Sequence, residues 1–163
     1  MTNLIPIRQN LIERFEKGLS SPEAAVRLIQ ELYPTADRLK HAFREEYGEI
    51  CERLGRGYAE MRPANPHDTQ AWLKLLSINL RRNDVRAYGA RGDEIAVGDP
   101  LTYAREFPSA AQAVAATYLR PDVYFFEVVC KEPTASSGTR LHLIFVDPEG
   151  WCMAGPVWRL LRE

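Results

Sequence analysis

The chain has 163 residues, with 21 basic against 22 acidic side chains and a formal net charge of -1. That balance gives no overall field to attract a phosphate backbone or an anionic bilayer, so the expectation is no nucleic-acid and no membrane partner. With 45% hydrophobic and 26% charged residues the composition is that of one soluble globular domain, and a chain of about this length buries roughly 70% of its unfolded surface, enough for a single core.

Cys51, Cys130 and Cys152 are odd in number and lack a C-x-x-C spacing, which predicts buried free thiols rather than a disulfide framework or a zinc site. Residues 1–9 carry no cationic, apolar and small-residue succession of a leader, and no later stretch approaches the ~18 apolar residues of a membrane span. A cytoplasmic location is expected.

Ile7, Leu11, Phe15 and Leu19 recur every four residues and line one face of a first helix. Ser21, Pro22 and Glu23 supply a side-chain cap, a first-turn proline and a carboxylate at the positive end of a second, with Ala25, Leu28, Ile29 and Leu32 as its apolar stripe. Leu39, Phe43, Tyr47, Ile50, Leu54 and Tyr58 keep steps of three and four, which predicts a long third helix over 35–58. Asn65, Pro66 and Asp68 open a fourth, whose stripe of Trp72, Leu75, Leu76 and Leu80 runs to about Arg82.

The hydrophobic period then shortens to two. Residues 85–90 and 94–97 read as strands around a hairpin turn at Arg91-Gly92-Asp93, and the alanine-rich run 110–119 reads as a helix closed by Pro121. The aromatic and β-branched run 123–130 predicts a central strand covered on both faces, with 141–146 as its partner across the polar loop 133–138. Asp147-Pro148-Glu149-Gly150 suits a type I turn into a last strand over 151–161, interrupted by Gly155 and Pro156. The predicted class is therefore α+β in one domain, 1–163, with 1–82 mainly helical and 83–163 mainly an antiparallel sheet with one inserted helix.

Signatures of chemistry are sparse. The chain has no phosphate-binding G-x-x-x-x-G-K-[ST], no G-x-G-x-x-G, no H-E-x-x-H and no G-x-S-x-G, and no cofactor or metal is expected. His41 and Glu45 stand one helical turn apart, but a metal site needs further inward-facing ligands, and an exposed surface pair is the expected reading. Arg81, Arg82, Arg86 and Arg91 are interleaved with acids, as on a solvated strand edge.

The informative constellation comes from register. If 123–131 and 139–146 pair antiparallel across their loop, facing residues have numbers summing to about 269, which sets Glu127 opposite His142. Val123, Phe125, Val129, Ile144 and Val146 then share their face. A carboxylate and an imidazole in apolar surroundings suit a general base and its orienter; a cross-strand pair on a solvated side of the sheet is the alternative. Tyr124, Phe126, Trp151 and Trp158 belong to an aromatic concentration in the second half and are candidate ligand-binding residues.

Helices followed by a bent antiparallel meander, with one helix inserted before long aromatic strands and a hairpin at 147–150 leading to Trp151, resemble the NTF2-like (cystatin-like α+β roll) superfamily over about residues 35–161. The resemblance implies a cone-shaped roll and either a small-molecule site or a non-catalytic binding domain. Two functions follow. One is a non-catalytic binding or protein-interaction domain with an unknown protein partner, of a bacterial accessory or immunity type, which the missing catalytic motifs favour. The other is a small-molecule binder or enzyme of the isomerase or cyclase type, taking a small apolar or aromatic ligand beside Glu127 and His142. A monomer or homodimer suits both.

Overall fold

Short polar side chains start the first two helices. In the computed structural model, which describes residues 3–161, Asn3 accepts from the Ile5 N–H to open α1 (Leu4–Gly18) and Ser21 accepts from the Ala24 N–H to open α2 (Pro22–Leu32). Leu11 and Phe15 of α1, with Leu28 and Leu32 of α2, are buried against Ala87, Phe126, Val128 and Ile144. This helix pair covers one face of the sheet.

The long helix expected over 35–58 is broken. It consists of α3 (Ala36–Leu39), a 3-10 turn (Glu45–Tyr47) and α4 (Gly48–Met61). Between them the chain turns over 40–42 and then pairs with the segment after α7 (Ser109–Thr117): Phe43 bridges Leu119, the Arg44 N–H donates to the Tyr118 carbonyl at 2.9 Å, and the Arg120 N–H donates to the Ala42 carbonyl at 2.8 Å. Phe43 is fully buried there, so long-range pairing and burial outweigh the helical stripe. His41 and Glu45 consequently share no helical face.

Helix α5 (Thr69–Leu75), capped by Asp68, also stops before the expected Arg82. Ser77 takes φ 55°, and the Ile78 N–H reaches back to the Leu73 carbonyl at 2.8 Å while the Ser77 N–H reaches the Lys74 carbonyl at 3.1 Å. This is a left-handed helix cap of the kind usually built on glycine.

Strand β1 (Asp84–Arg91) runs directly into α6 (Gly92–Val97), so the expected hairpin and second strand are instead a strand-to-helix junction. The Glu94 carboxylate accepts from the Arg91 N–H at 2.8 Å and starts the helix. Glycine is required at 92 because a Cβ there would lie 2.3 Å from the Arg120 carbonyl oxygen. Strands β2 (Tyr124–Lys131), β3 (Thr139–Asp147) and β4 (Gly150–Met153) complete an open antiparallel sheet of order β1-β2-β3-β4. The last strand is far shorter than 151–161: Gly155 turns left-handed at φ 75° and Val157–Arg159 is a 3-10 turn. On the face away from α1, Phe125, Leu143 and Phe145 pack with residues of α4, α6 and α7. The chain is α+β in one domain, with both sheet faces covered; no described helix is long and apolar enough to cross a membrane.

Candidate functional site

The β2–β3 ladder changes step in its middle. Cys130↔Thr139, Val129↔Arg140 and Val128↔Leu141 keep the expected sum of 269, but beyond them Phe126 faces Ile144. One residue of β2, Glu127, therefore opposes two of β3, His142 and Leu143, which makes a β-bulge. The shift turns Ile144 onto the α1 face beside Phe126, instead of the Glu127 face as expected, and sets Phe145 against Phe125 with ring centroids 5.9 Å apart. Val146 is 53% exposed and lines no core.

The Glu127 side chain fills the gap in the ladder. Its Oε1 lies 2.7 Å from His142 Nδ1 and its Oε2 accepts from the Leu143 N–H at 3.3 Å. Leu143 holds φ 55°, a left-handed conformation that a branched, fully buried side chain rarely takes. The carbonyls of the two bulged residues accept from the segment after β4, His142 from the Gly155 N–H at 3.0 Å and Leu143 from the Ala154 N–H at 2.9 Å. Four hydrogen bonds thus hold the extra residue in place.

Glu127 is wholly buried. Burial is the largest influence on its carboxyl and pushes it above the usual carboxylate range, while the hydrogen bond with His142, the Leu143 N–H and the nearby Arg140 guanidinium pull the other way. Arg140 Nη1 stands 4.0 Å from Glu127 Oε1 and donates to the Glu106 carbonyl at 3.1 Å. His142 is different: its side chain keeps 16% exposure, and its ring meets Trp158 edge to face at 5.1 Å. Nε2 has no hydrogen-bond partner among the described residues and is not buried.

His142 lines a cleft of about 340 Å³ at the part of β3 that β4 is too short to cover. Ser77, Arg82, Thr139, Arg140 and Arg159 line it too, with Leu75 and Met153 among its apolar walls. A smaller recess of about 120 Å³ shares Leu75, Leu76, Met153, Pro156 and Arg159 with this cleft and continues to Tyr33 and Tyr58. The opening is at the edge of the sheet, where β3 runs past the end of β4.

No protein-family model, curated protein or solved structure matches the chain.

Of the aromatic candidates, only Trp158 lies against the pair. Phe126 and Trp151 meet edge to face at 5.5 Å on the α1 side, where Trp151 Nε1 donates to Asn10 Oδ1 at 2.9 Å, and Tyr124 packs in the same cluster. Among the described residues no group of three or more His, Cys, Asp or Glu is placed to hold a metal. The three cysteines are free and buried, and burial raises Cys51 to about 11 and Cys130 and Cys152 to about 12, which leaves inert thiols. Sequence reasoning missed the arginines of the cleft. Arg140 was within reach, since it precedes His142 by two residues in a strand and so shares its face; Arg82 stands in the basic stretch expected on a solvated edge but is bonded to Thr139 at the cleft, and Arg159 comes from a separate segment with no local signal.

Proposed function

We propose that this chain carries a small-molecule site in which His142, oriented by Glu127, acts as a general base. The observation that supports this reading is the 2.7 Å contact between His142 Nδ1 and a fully buried carboxylate, with Nε2 left open at a cleft. With Glu127 ionised, Nδ1 donates to it and the lone pair resides on Nε2, where a substrate proton can be taken up; the carboxylate then faces the imidazolium that forms. Proton abstraction of this kind serves isomerisation and cyclisation alike. A cavity of a few hundred Å³ suits a small ligand.

The reading can be tested without a substrate. Diethyl pyrocarbonate acylates an unprotonated imidazole nitrogen, and peptide mass spectrometry resolves His142 from His41 and His67. His142 is expected to react, faster as pH rises through the raised value of Glu127. In Glu127→Gln the amide donates to Nδ1 and moves the proton to Nε2, so the rate at His142 alone falls by about tenfold or more, in line with the loss of a positioned base. An unreactive His142, or equal rates in the two proteins, sinks the proposal.

A second reading, of a protein-interaction domain, draws on a different place. Val97, Leu101 and Tyr103 are 78%, 93% and 46% exposed within seven residues that begin at the last residue of α6, and clustered exposed apolar side chains are a feature of contact surfaces.

A further inference from the structure

The walls of the His142 cleft are unbalanced in charge. Arg82, Arg140 and Arg159 all line it and neither an aspartate nor a glutamate does, in a chain whose net charge is -1. Arg82 is fixed in place: Nη1 donates to Thr139 Oγ1 at 2.7 Å, and that hydroxyl donates in turn to the Ser77 carbonyl at 2.9 Å. No described carboxylate lies within ion-pair distance of Arg82 or Arg159, while Arg140 has Glu106 at 3.9 Å and Glu127 at 4.0 Å. Two guanidinium groups thus face the cleft without a countercharge among the described residues, one of them held by a side-chain relay.

Guanidinium groups match oxyanions in geometry as well as charge, since their planar forks donate two parallel hydrogen bonds. Around the cleft their fields add in a space partly walled by Leu75 and Met153, where water screens less. Beside it, the recess between Tyr33, Tyr58 and Leu160 offers an apolar seat. We infer that the cleft binds a small molecule bearing a phosphate or carboxylate group on an apolar or aromatic body, with Arg82 and Arg159 on the oxyanion and His142 Nε2 facing the body. This rests on the proposed function for the place of His142, and on the arginines for the ligand's charge.

The probes are phenyl phosphate and benzoate, with inorganic phosphate as the headgroup alone, titrated into the full chain at constant ionic strength and followed by amide chemical shifts. Saturable shifts are expected at residues 75–77, 138–142 and 156–159, with phenyl phosphate tighter than inorganic phosphate by about tenfold, the value of burying one small apolar group. The tighter of phenyl phosphate and benzoate gives the headgroup class. Arg159→Gln and Arg82→Gln, checked for folding by thermal melts, are expected to weaken binding by about tenfold each, as for loss of a charged hydrogen bond. Absence of saturable shifts with all three probes, or equal affinity in folded arginine variants, overturns the inference. Anion binding by a chain whose His142 diethyl pyrocarbonate does not acylate defeats the general base alone, and a reactive His142 without anion binding defeats this inference alone.

Discussion

Two side-chain pairs, each built on a buried carboxylate, hold β3, and they are built to opposite ends. At its hairpin end, Arg38 of α3 donates to Asp147 through Nε at 2.5 Å and Nη2 at 3.4 Å, and gives its remaining donors to the carbonyls of Glu31, Tyr33 and Trp151. Asp147 Oδ1 also accepts from the N–H groups of Glu149 and Gly150 at 2.7 and 3.0 Å, which shapes the turn. All of the guanidinium's bonding capacity is used inside the protein. In the middle of the same strand, the pair of Glu127 and His142 leaves one ring nitrogen unused and holds a leucine at φ 55°. A saturated pair ties segments together; an unsaturated one, kept at a structural cost, has capacity left for a ligand.

The comparison breaks most visibly through Arg38. Arg38→Ala strands the buried Asp147 and frees three carbonyls, and is expected to cost about 3–5 kcal/mol in urea unfolding; a loss below about 1 kcal/mol, the level of a surface pair, would mean that the node is not structural. Glu127→Gln sharpens the other side. Because the folded value of Glu127 is raised, the folded chain keeps a proton that the unfolded chain releases, so wild-type stability falls as pH rises from the usual glutamate range through that raised value. The glutamine variant lacks this slope, and its stability relative to wild type is expected to grow over the same window. A parallel pH dependence in both proteins contradicts a destabilising buried carboxylate. The smallest effect is expected at Ser77, where Ser77→Gly relieves the left-handed cap and adds about 0.5–1 kcal/mol in urea unfolding; a loss of stability would contradict strain at this cap.

What the sequence made legible was local or periodic. Ser21 announced α2, the four turn residues 147–150 announced the β3–β4 hairpin, and counting back from the loop 133–138 brought Glu127 and His142 together because the outer rungs of the ladder are regular. What escaped depends on distant partners. The break at Phe43 is set by Leu119 and Arg120, the helix after Arg91 by a carboxylate cap and a glycine pressed on Arg120, and the early end of β4 by a left-handed Gly155. The bulge is the instructive failure. Nothing in Leu141-His142-Leu143-Ile144 marks an extra residue, and the pair forms on either register, but the neighbours of the pair differ: Phe145 takes the place that alternation gives to Ile144.

That extra residue also decides where this chain tolerates changes of length. Residues gained or lost within 132–137 lengthen or shorten a largely exposed connection and leave the rungs on both sides of Glu127 as they are. Loss of either His142 or Leu143 instead leaves one residue opposite Glu127, so the ladder becomes regular: Phe126 still faces Ile144 and Phe145 keeps its face, but the bulge that the Glu127 side chain fills is gone. Relatives of this chain that retain the site are expected to vary in the loop and to keep constant the count of residues from Thr139 to Asp147.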